Sequence, residues 1–338
     1  MNYQNLHSHT TTSDGKISYL ETLKICRENQ IEAVAFTDHD ALPPKKEVNR
    51  LFRKRNHPVK WILGIEISSA LPKELGGDPT ENLHIVGLFI NPFDRQLEIH
   101  CRKMQEARKK RMQLIVKNLK GLGFKITEKA CLKESKGETI NRPHIVAALT
   151  KNSANLKLIQ KLKDQMEKES EKNPELRRKF LKMIKFGRQQ YPYSLFLTGD
   201  SYIKGIYADY PYRLELDRTV KLIRNAGGVA FLAHWTFCKK KIDLKMLNNL
   251  LKQKRIDGLE IVYNAHTQGR EKEILRDMKK VEKLTRKYQS LKSGGADSHS
   301  REEIRDFFKD TSLAQKTYRL AQEMIKQGNI NTTWSSFS

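Results

Sequence analysis

The feature that most restricts what this chain can fold into is an alternation over residues 5–90. Short apolar runs, each carrying a histidine or a carboxylate near one end, alternate with segments of helical spacing. "NLHSHT" reads as a short strand. "ISYLETLKICRENQ" follows, with Ile17, Leu20, Leu23, Ile25 and Cys26 at the spacing of one helix face. "EAVAFTDHD" reads as a buried strand, "KKEVNRLFRKRN" as a helix, and "KWILGIEISS" and "NLHIVGLFI" as two further strands. A β-α-β-α-β order with helical crossovers predicts a mostly parallel sheet.

From Pro92 to Tyr212 the pattern gives way to helix and loop of high charge. "EIHCRKMQEARKKRMQLIVKNLKGLGF" predicts one helix ending at Gly121 or Gly123. "RPHIVAALTKN" predicts another, with Pro143 in the first turn, where its missing N–H costs nothing. Strands then return in "GGVAFLAHW", "GLEIVYN" and "SLKSGGADSHS", separated by helical segments, and "SLAQKTYRLAQEMIKQG" reads as a last helix. The tail "NINTTWSSFS" is polar and is expected to fray. The chain therefore predicts an α/β fold, a distorted seven-stranded (β/α) barrel over residues 1–91 and 213–330. Residues 92–212 form a helical, basic insertion covering the active site.

Each strand of that barrel delivers a polar side chain. The first ends at His7 and His9, with Asp14 in the next loop. The second ends at Asp38, His39 and Asp40, and the third carries Glu66. The fourth holds His84 near its start, which fits the pattern less neatly. Later strands end at His234, at Glu260 and Asn264, and at Asp297 with His299. In a parallel α/β barrel the carboxyl ends of the strands converge on one face. Residues two apart on a strand point the same way, so His7 and His9 can grip one cation together, and Asp297 with His299 repeats the arrangement. Imidazoles and carboxylates without thiolates suit Mn, Fe or Zn. Of the other histidines, His57 and His100 read as surface residues, and His266 as a residue that could line the mouth.

These motifs, "LHSHTTTSDG", "AFTDHD", "GIEIS", "LHIVGLFI", "GGVAFLAHW" and "GGADSHS", resemble the polymerase and histidinol phosphatase (PHP) family of metal-dependent phosphoesterases. The resemblance covers most of residues 5–91 and 213–300, in order. It implies two or three divalent metal ions. His7, His9 and Asp297 would hold the first. Glu66 would bridge it to a second, also held by His84 and His234. Asp14, His39 and His299 would hold the third. Three carboxylates neutralise half the charge of three such cations, leaving the rest for a bridging hydroxide and a phosphate dianion. That arrangement implies attack on phosphorus by the hydroxide, with no serine or cysteine nucleophile.

Substrate choice is then expected to come from the insertion. Met104, Arg108, Arg111, Ile115, Leu119 and Leu122 share a helical stripe, so two arginines interrupt an apolar face. They either snorkel at its edge or bind phosphate bidentately. Arg142 and His144 sit at a helix start, where free N–H groups favour an anion. The family branch of nucleoside monophosphate and 3′,5′-bisphosphate phosphatases and 5′–3′ exoribonucleases carries similar arginines and an "RPH" segment. By that resemblance Arg108, Arg111, Arg142 and His144 are substrate-binding candidates. Two departures stand out: Trp235 where that branch usually has proline, and a longer, more basic stretch from Lys151 to Arg188. That stretch has twelve Lys and Arg against five Asp and Glu, which suits either a solvated helix face or a phosphate-backbone track.

Composition fits this reading without specifying it. The net charge of +25 draws polyanions, and a lysine-rich solvated surface gives the same number. No apolar run approaches the roughly 20 residues of a membrane helix. The start lacks the charged and apolar regions of a secretion signal. Four scattered cysteines without a CxxC pair suit a reducing cytoplasm. The expected function is hydrolysis of a terminal phosphate from nucleotides, nucleoside bisphosphates or short oligoribonucleotides. Two alternatives stay open: a nucleic-acid-binding protein with a non-catalytic metal-bound barrel, and a small-metabolite phosphatase such as histidinol phosphatase.

Overall fold

The computed structural model describes residues 3–75, 83–264, 270–328 and 330–337. Among the described residues eight strands form one sheet: β1 (Tyr3–Asn5), β2 (Ile31–Phe36), β3 (Lys60–Ala70), β4 (Leu83–Leu88), β5 (Leu214–Glu215), β6 (Val229–Leu232), β7 (Gly258–Val262) and β8 (Leu291–Gly294). Seven of them follow the order β1-β2-β3-β4-β6-β7-β8, and the two-residue β5 pairs with β3 off that path. The ends of the path meet beyond the strands. Leu6 N–H donates to the Gly294 carbonyl at 3.0 Å, His9 N–H donates to the Ser298 carbonyl at 2.8 Å, and Ser8 bridges Ser298. The result is a distorted seven-stranded (β/α) barrel.

Helices of the expected kind connect the strands. Tyr19–Glu28 lies between β1 and β2, Lys45–Phe52 between β2 and β3, Leu244–Lys252 between β6 and β7, and Glu271–Tyr288 between β7 and β8. Their starts follow capping chemistry. Ser18 accepts from Glu21 N–H, and Asp243 from Met246 N–H, so donors that the first helical turn leaves unsatisfied find oxygens. Strand β3 is buried from Trp61 to Ala70, as a strand covered on both faces must be. Trp61, Ile62, Leu63, Ile65 and Ile67 are each fully excluded from water, and each contributes about 1.5–3 kcal/mol of burial.

The sheet is mostly parallel, as the motif order predicts, with β4 alone running antiparallel to its neighbours β3 and β6. Three sequence expectations are corrected. The segment 311–328 is not one helix. It forms Thr311–Ala314, a tight turn at Gln315–Thr317 and Leu320–Gly328, broken at Arg319, whose φ is 50°. The described tail residues, 330–337, do not fray. Ser335 and Ser336 are buried, Trp61 N–H donates to Ser336 Oγ at 2.8 Å, and the Trp334 ring meets Phe52 and Phe93. His100 is buried rather than on the surface, with Nδ1 3.2 Å from the Tyr212 hydroxyl. His57 is half-buried, and His266 lies outside the described residues.

The chain divides into two compact units, Met1–Gln105 with Tyr212–Ser338, and Glu106–Pro211. The helix Arg95–Gly121 starts in the first and continues into the second. The second unit is built of further helices, Glu128–Glu134, Arg142–Thr150, Ser153–Ser170 and Pro174–Lys185. It has its own apolar core, including Ile115, Leu119, Phe124, Leu149, Met183 and Phe196.

Candidate metal centre

Local backbone geometry explains how the barrel presents its polar side chains. His7 and His9 leave the end of β1 two residues apart, and both are fully buried. The antiparallel course of β4 accounts for His84. Running opposite to β3, β4 begins at the rim where β3 ends, so a histidine near its start reaches the same place as others at strand ends. Ser68 pairs with His84 and Glu66 with Val86, which puts Glu66 and His84 on one face as diagonal neighbours. Asp40, His234 and Asp297 all have left-handed backbones, with φ of 48°, 30° and 48°. For non-glycine residues this costs on the order of 1–3 kcal/mol each, and such strain concentrates where side chains must be aimed.

Two glycines make room for the first strand. A Cβ on Gly15 would lie 2.3 Å from the His9 carbonyl oxygen, and one on Gly295 would lie 2.6 Å from His7 N. The "SDG" and "GGAD" motifs thus let backbone approach the His7–His9 segment from two sides.

Glu66 is the hub. Its Oε2 lies 3.3 Å from His7 Nε2, 3.2 Å from His9 Nε2 and 2.9 Å from His39 Nδ1. Its Oε1 lies 2.8 Å from His84 Nδ1 and 3.1 Å from His234 Nε2. Asp297 Oδ1 lies 3.4 Å from His7 Nε2 and 3.1 Å from His9 Nε2. His299 Nε2 lies 3.6 Å from Asp14 Oδ1, and the His9 ring stacks on His39 and His299 at 4.3 and 4.2 Å. All nine side chains anticipated from the sequence therefore converge.

Their ligand atoms fall into three groups, each within 4.8 Å: His7, His9, Glu66 and Asp297; His39, Glu66 and His84; His9, Asp14, His39 and His299. The groups differ in detail from the sequence-based sets. His9 and His39 are each shared between two groups, and His234 joins through Glu66. His7 Nε2, His39 Nδ1 and Glu66 Oε2 are buried and make no hydrogen bond, although they crowd together. Ligands about 2.1 Å from a common ion sit roughly 3 Å apart, so this spacing is compatible with divalent cations.

Electrostatics point the same way. Burial would raise the Glu66 and Asp297 carboxyls, yet both are held well below the usual carboxylate range, Glu66 chiefly by His39, His84 and His7 and Asp297 chiefly by His7 and His9. Burial would lower His9, but its hydrogen bond to Asp297 and the adjacent Glu66 and Asp297 carboxylates raise it to about 10. His7 is likewise raised, against burial, by Asp297, Glu260 and Glu66. In the absence of cations, protons supply the positive charge these carboxylates demand.

Sequence reasoning underused the carboxylates around the centre. Asp38 Oδ1 accepts from Thr10 N–H at 2.8 Å, Ser13 N–H at 3.2 Å and Ser13 Oγ at 2.7 Å. Its Oδ2 accepts from Thr10 Oγ1 at 2.7 Å and from the Tyr19 hydroxyl at 2.9 Å. Asp38 thereby fixes the loop that carries Asp14. Asp40 Oδ1 accepts from Ser68 N–H at 2.9 Å. The four cysteines offer no nucleophile: all are free and buried, and burial pushes the thiols up, Cys131 to about 11 and Cys238 to about 12.

The substrate candidates all lie in the helical unit. Arg108 and Arg111 are buried, at 3% and 6% exposure, rather than snorkelling to solvent. Arg111 Nε donates to the Ala208 carbonyl at 2.8 Å, and its guanidinium lies over the Tyr210 ring at 4.3 Å. Arg108 donates to Asn141 Oδ1. Arg142 Nη1 donates to the Leu197 carbonyl at 3.2 Å, and His144 Nδ1 accepts from Asn141 N–H at 3.0 Å.

Fold and site together define an α/β barrel protein whose strand-end histidines and carboxylates gather into groups able to hold metal ions. The sequence profile of the PHP domain matches residues 5–328, and the chain belongs to that family. It is 24% identical over 299 residues to the phosphoribosyl 1,2-cyclic phosphate 1,2-diphosphodiesterase of Eggerthella lenta, covering 88% of this chain and 94% of that protein. It is 26% identical over 144 residues to the 5′–3′ exoribonuclease Rnm of Salmonella typhimurium, covering 43% of this chain and 47% of that one. The crystal structure of a Bifidobacterium adolescentis protein, itself assigned by inference to the metal-dependent phosphoesterases, shares the fold with a TM-score of 0.63 at 19% identity. It covers 89% of this chain and 88% of that one.

Proposed function

We propose that this metal-dependent phosphoesterase removes a terminal phosphate from a nucleotide, a nucleoside bisphosphate or a short oligoribonucleotide. The observation that carries the reading is Glu66, a buried carboxylate with three imidazoles on one oxygen and two on the other. Such a carboxylate would suit sharing between two cations. His7, His9, Glu66 and Asp297 would hold one, His84 and His234 with Glu66 a second, and Asp14, His39 and His299 a third. Mn, Fe and Zn all accept such ligands. Bound there, divalent cations activate water near neutral pH and neutralise phosphoryl oxygens.

The protein's own residues supply the rest. The imidazoles and carboxylates fix the geometry, and burial of His7, His9 and Glu66 excludes bulk water from behind the reacting centre. Arg108, Arg111, Arg142 and His144 are the proposed substrate contacts. Arg111 is ordered by Tyr207, Tyr210 and the Ala208 carbonyl, which reduces the entropy lost on gripping an anion. Four buried free thiols are consistent with a reducing, cytoplasmic setting. Among the described residues no helix is long and apolar enough to cross a membrane.

The test is a phosphate-release screen over nucleoside monophosphates, 3′,5′-bisphosphates, short RNA and nucleoside-free phosphate esters with Mn²⁺ added. Turnover of at least one nucleotide substrate, abolished in a His7→Ala/His9→Ala variant, is expected. Turnover confined to nucleoside-free esters contradicts the proposed substrate class. RNA binding with no hydrolysis of any ester contradicts the enzyme itself.

A further inference from the structure

We propose that Glu260 is a positioning residue that aims two ligands of the metal centre, His7 and His234. The inference rests on the reading that these histidines hold cations. Glu260 lies in β7 and is 2% exposed. Its two oxygens are divided between two elements. Oε1 lies 2.8 Å from His7 Nδ1, and Oε2 accepts from the backbone N–H of His234 at 2.8 Å. The register of β7 on β8 shifts between Glu260 and Val262, an irregularity of the kind that re-aims a side chain.

The two contacts do different things. An ionised carboxylate only accepts, so the His7 bond places that ring's proton on Nδ1. Nε2, 3.3 and 3.4 Å from Glu66 and Asp297, is then the nitrogen that would ligate a cation once the cation displaces its proton. The His234 bond acts on the backbone. His234 has φ 30° and ψ 56°, a left-handed conformation unfavourable for a residue with a Cβ. A buried carboxylate on its N–H holds that turn, and the turn sends Nε2 to within 3.1 Å of Glu66 Oε1. One side chain thus sets His7 beside one oxygen of Glu66 and His234 beside the other. Glutamine has the same shape but only one accepting atom, so it can satisfy one of the two donors.

The experiment is a calorimetric Mn²⁺ titration of chelator-stripped wild type, Glu260→Gln, Glu260→Ala, His7→Ala and His7→Ala/Glu260→Gln. Circular dichroism and melting of each stripped protein are recorded in parallel. Mn²⁺ affinity is expected to fall about 10–100-fold in Glu260→Gln and further in Glu260→Ala. The glutamine effect should shrink once His7 is absent, because part of it acts through that ring. A purely structural carboxylate would lower the melting temperature and leave Mn²⁺ affinity alone. Unchanged affinity in folded Glu260→Gln, or the same loss with and without His7, overturns the proposal while leaving the metal centre standing. Should Glu260→Ala not fold, Glu260→Gln and the double variant carry the test. A wild type that binds no Mn²⁺ removes the metal centre and this inference with it.

Discussion

Asp38 and His39 are neighbours with opposite tasks. His39 turns its Nδ1 to Glu66, whereas Asp38 turns away and gathers two backbone and three hydroxyl donors around the loop bearing Asp14. Asp38→Ala leaves those donors buried without an acceptor. It is expected to cost about 3 kcal/mol or more, read as a lower midpoint in urea. A midpoint within error of wild type would show that the loop holds without Asp38.

His9 carries a prediction of its own. Its pKa near 10 in the cation-free chain exceeds the unfolded value of about 6.5, so its charge contributes stability that is fully present below about pH 6.5 and is lost as pH rises through about 10. Cation binding has the opposite dependence, because it must displace that proton. Mn²⁺ titrations at pH 7 in buffers of different ionisation heat are expected to report net proton release, with affinity falling as pH falls. Binding without proton release would contradict the pairing of His9 with Asp297 and Glu66.

Among the elements, the short strands with polar ends were legible because their chemistry is local. An apolar run followed by HxH or DxH states both a strand and its purpose. What was not legible depended on pairing between distant strands. The direction of β4 is set by its partners β3 and β6, and only that reversal explains a histidine of the cluster at its beginning. Glu260 has the same history. It is visible as an acid in an apolar strand, but its role exists only because β7 brings it against His7 and the turn at His234. The tail read as polar because its serines are hydrogen-bonded partners of β3 rather than solvated ends.

Gly295 tests the joint between the first and last strands. Its missing Cβ admits the His7 backbone, and Asn5 Oδ1 accepts from the adjacent Ala296 N–H at 2.7 Å. Gly295→Ala is expected to destabilise the chain by about 1–3 kcal/mol through overpacking and to weaken Mn²⁺ binding, since His7 and Asp297 sit on opposite sides of the joint. Calorimetric melting with and without Mn²⁺ reads both effects. An unchanged melting temperature in both states would show that the joint has slack.

For the molecule as a whole, the charge of +25 and the basic segment from Lys151 to Arg188 make encounter with phosphorylated ligands favourable and salt-sensitive without choosing among them. The proposed chemistry resides instead in nine side chains spread from His7 to His299. Their convergence is what the fold accomplishes, and the consequence proposed for it is the binding of divalent cations. Elemental analysis of protein loaded with Mn²⁺ and desalted measures this directly. Two or three equivalents per chain are expected in wild type, with a clear loss in a His7→Ala/His9→Ala variant that still folds. Wild type retaining no more Mn²⁺ than that variant would contradict the metal centre.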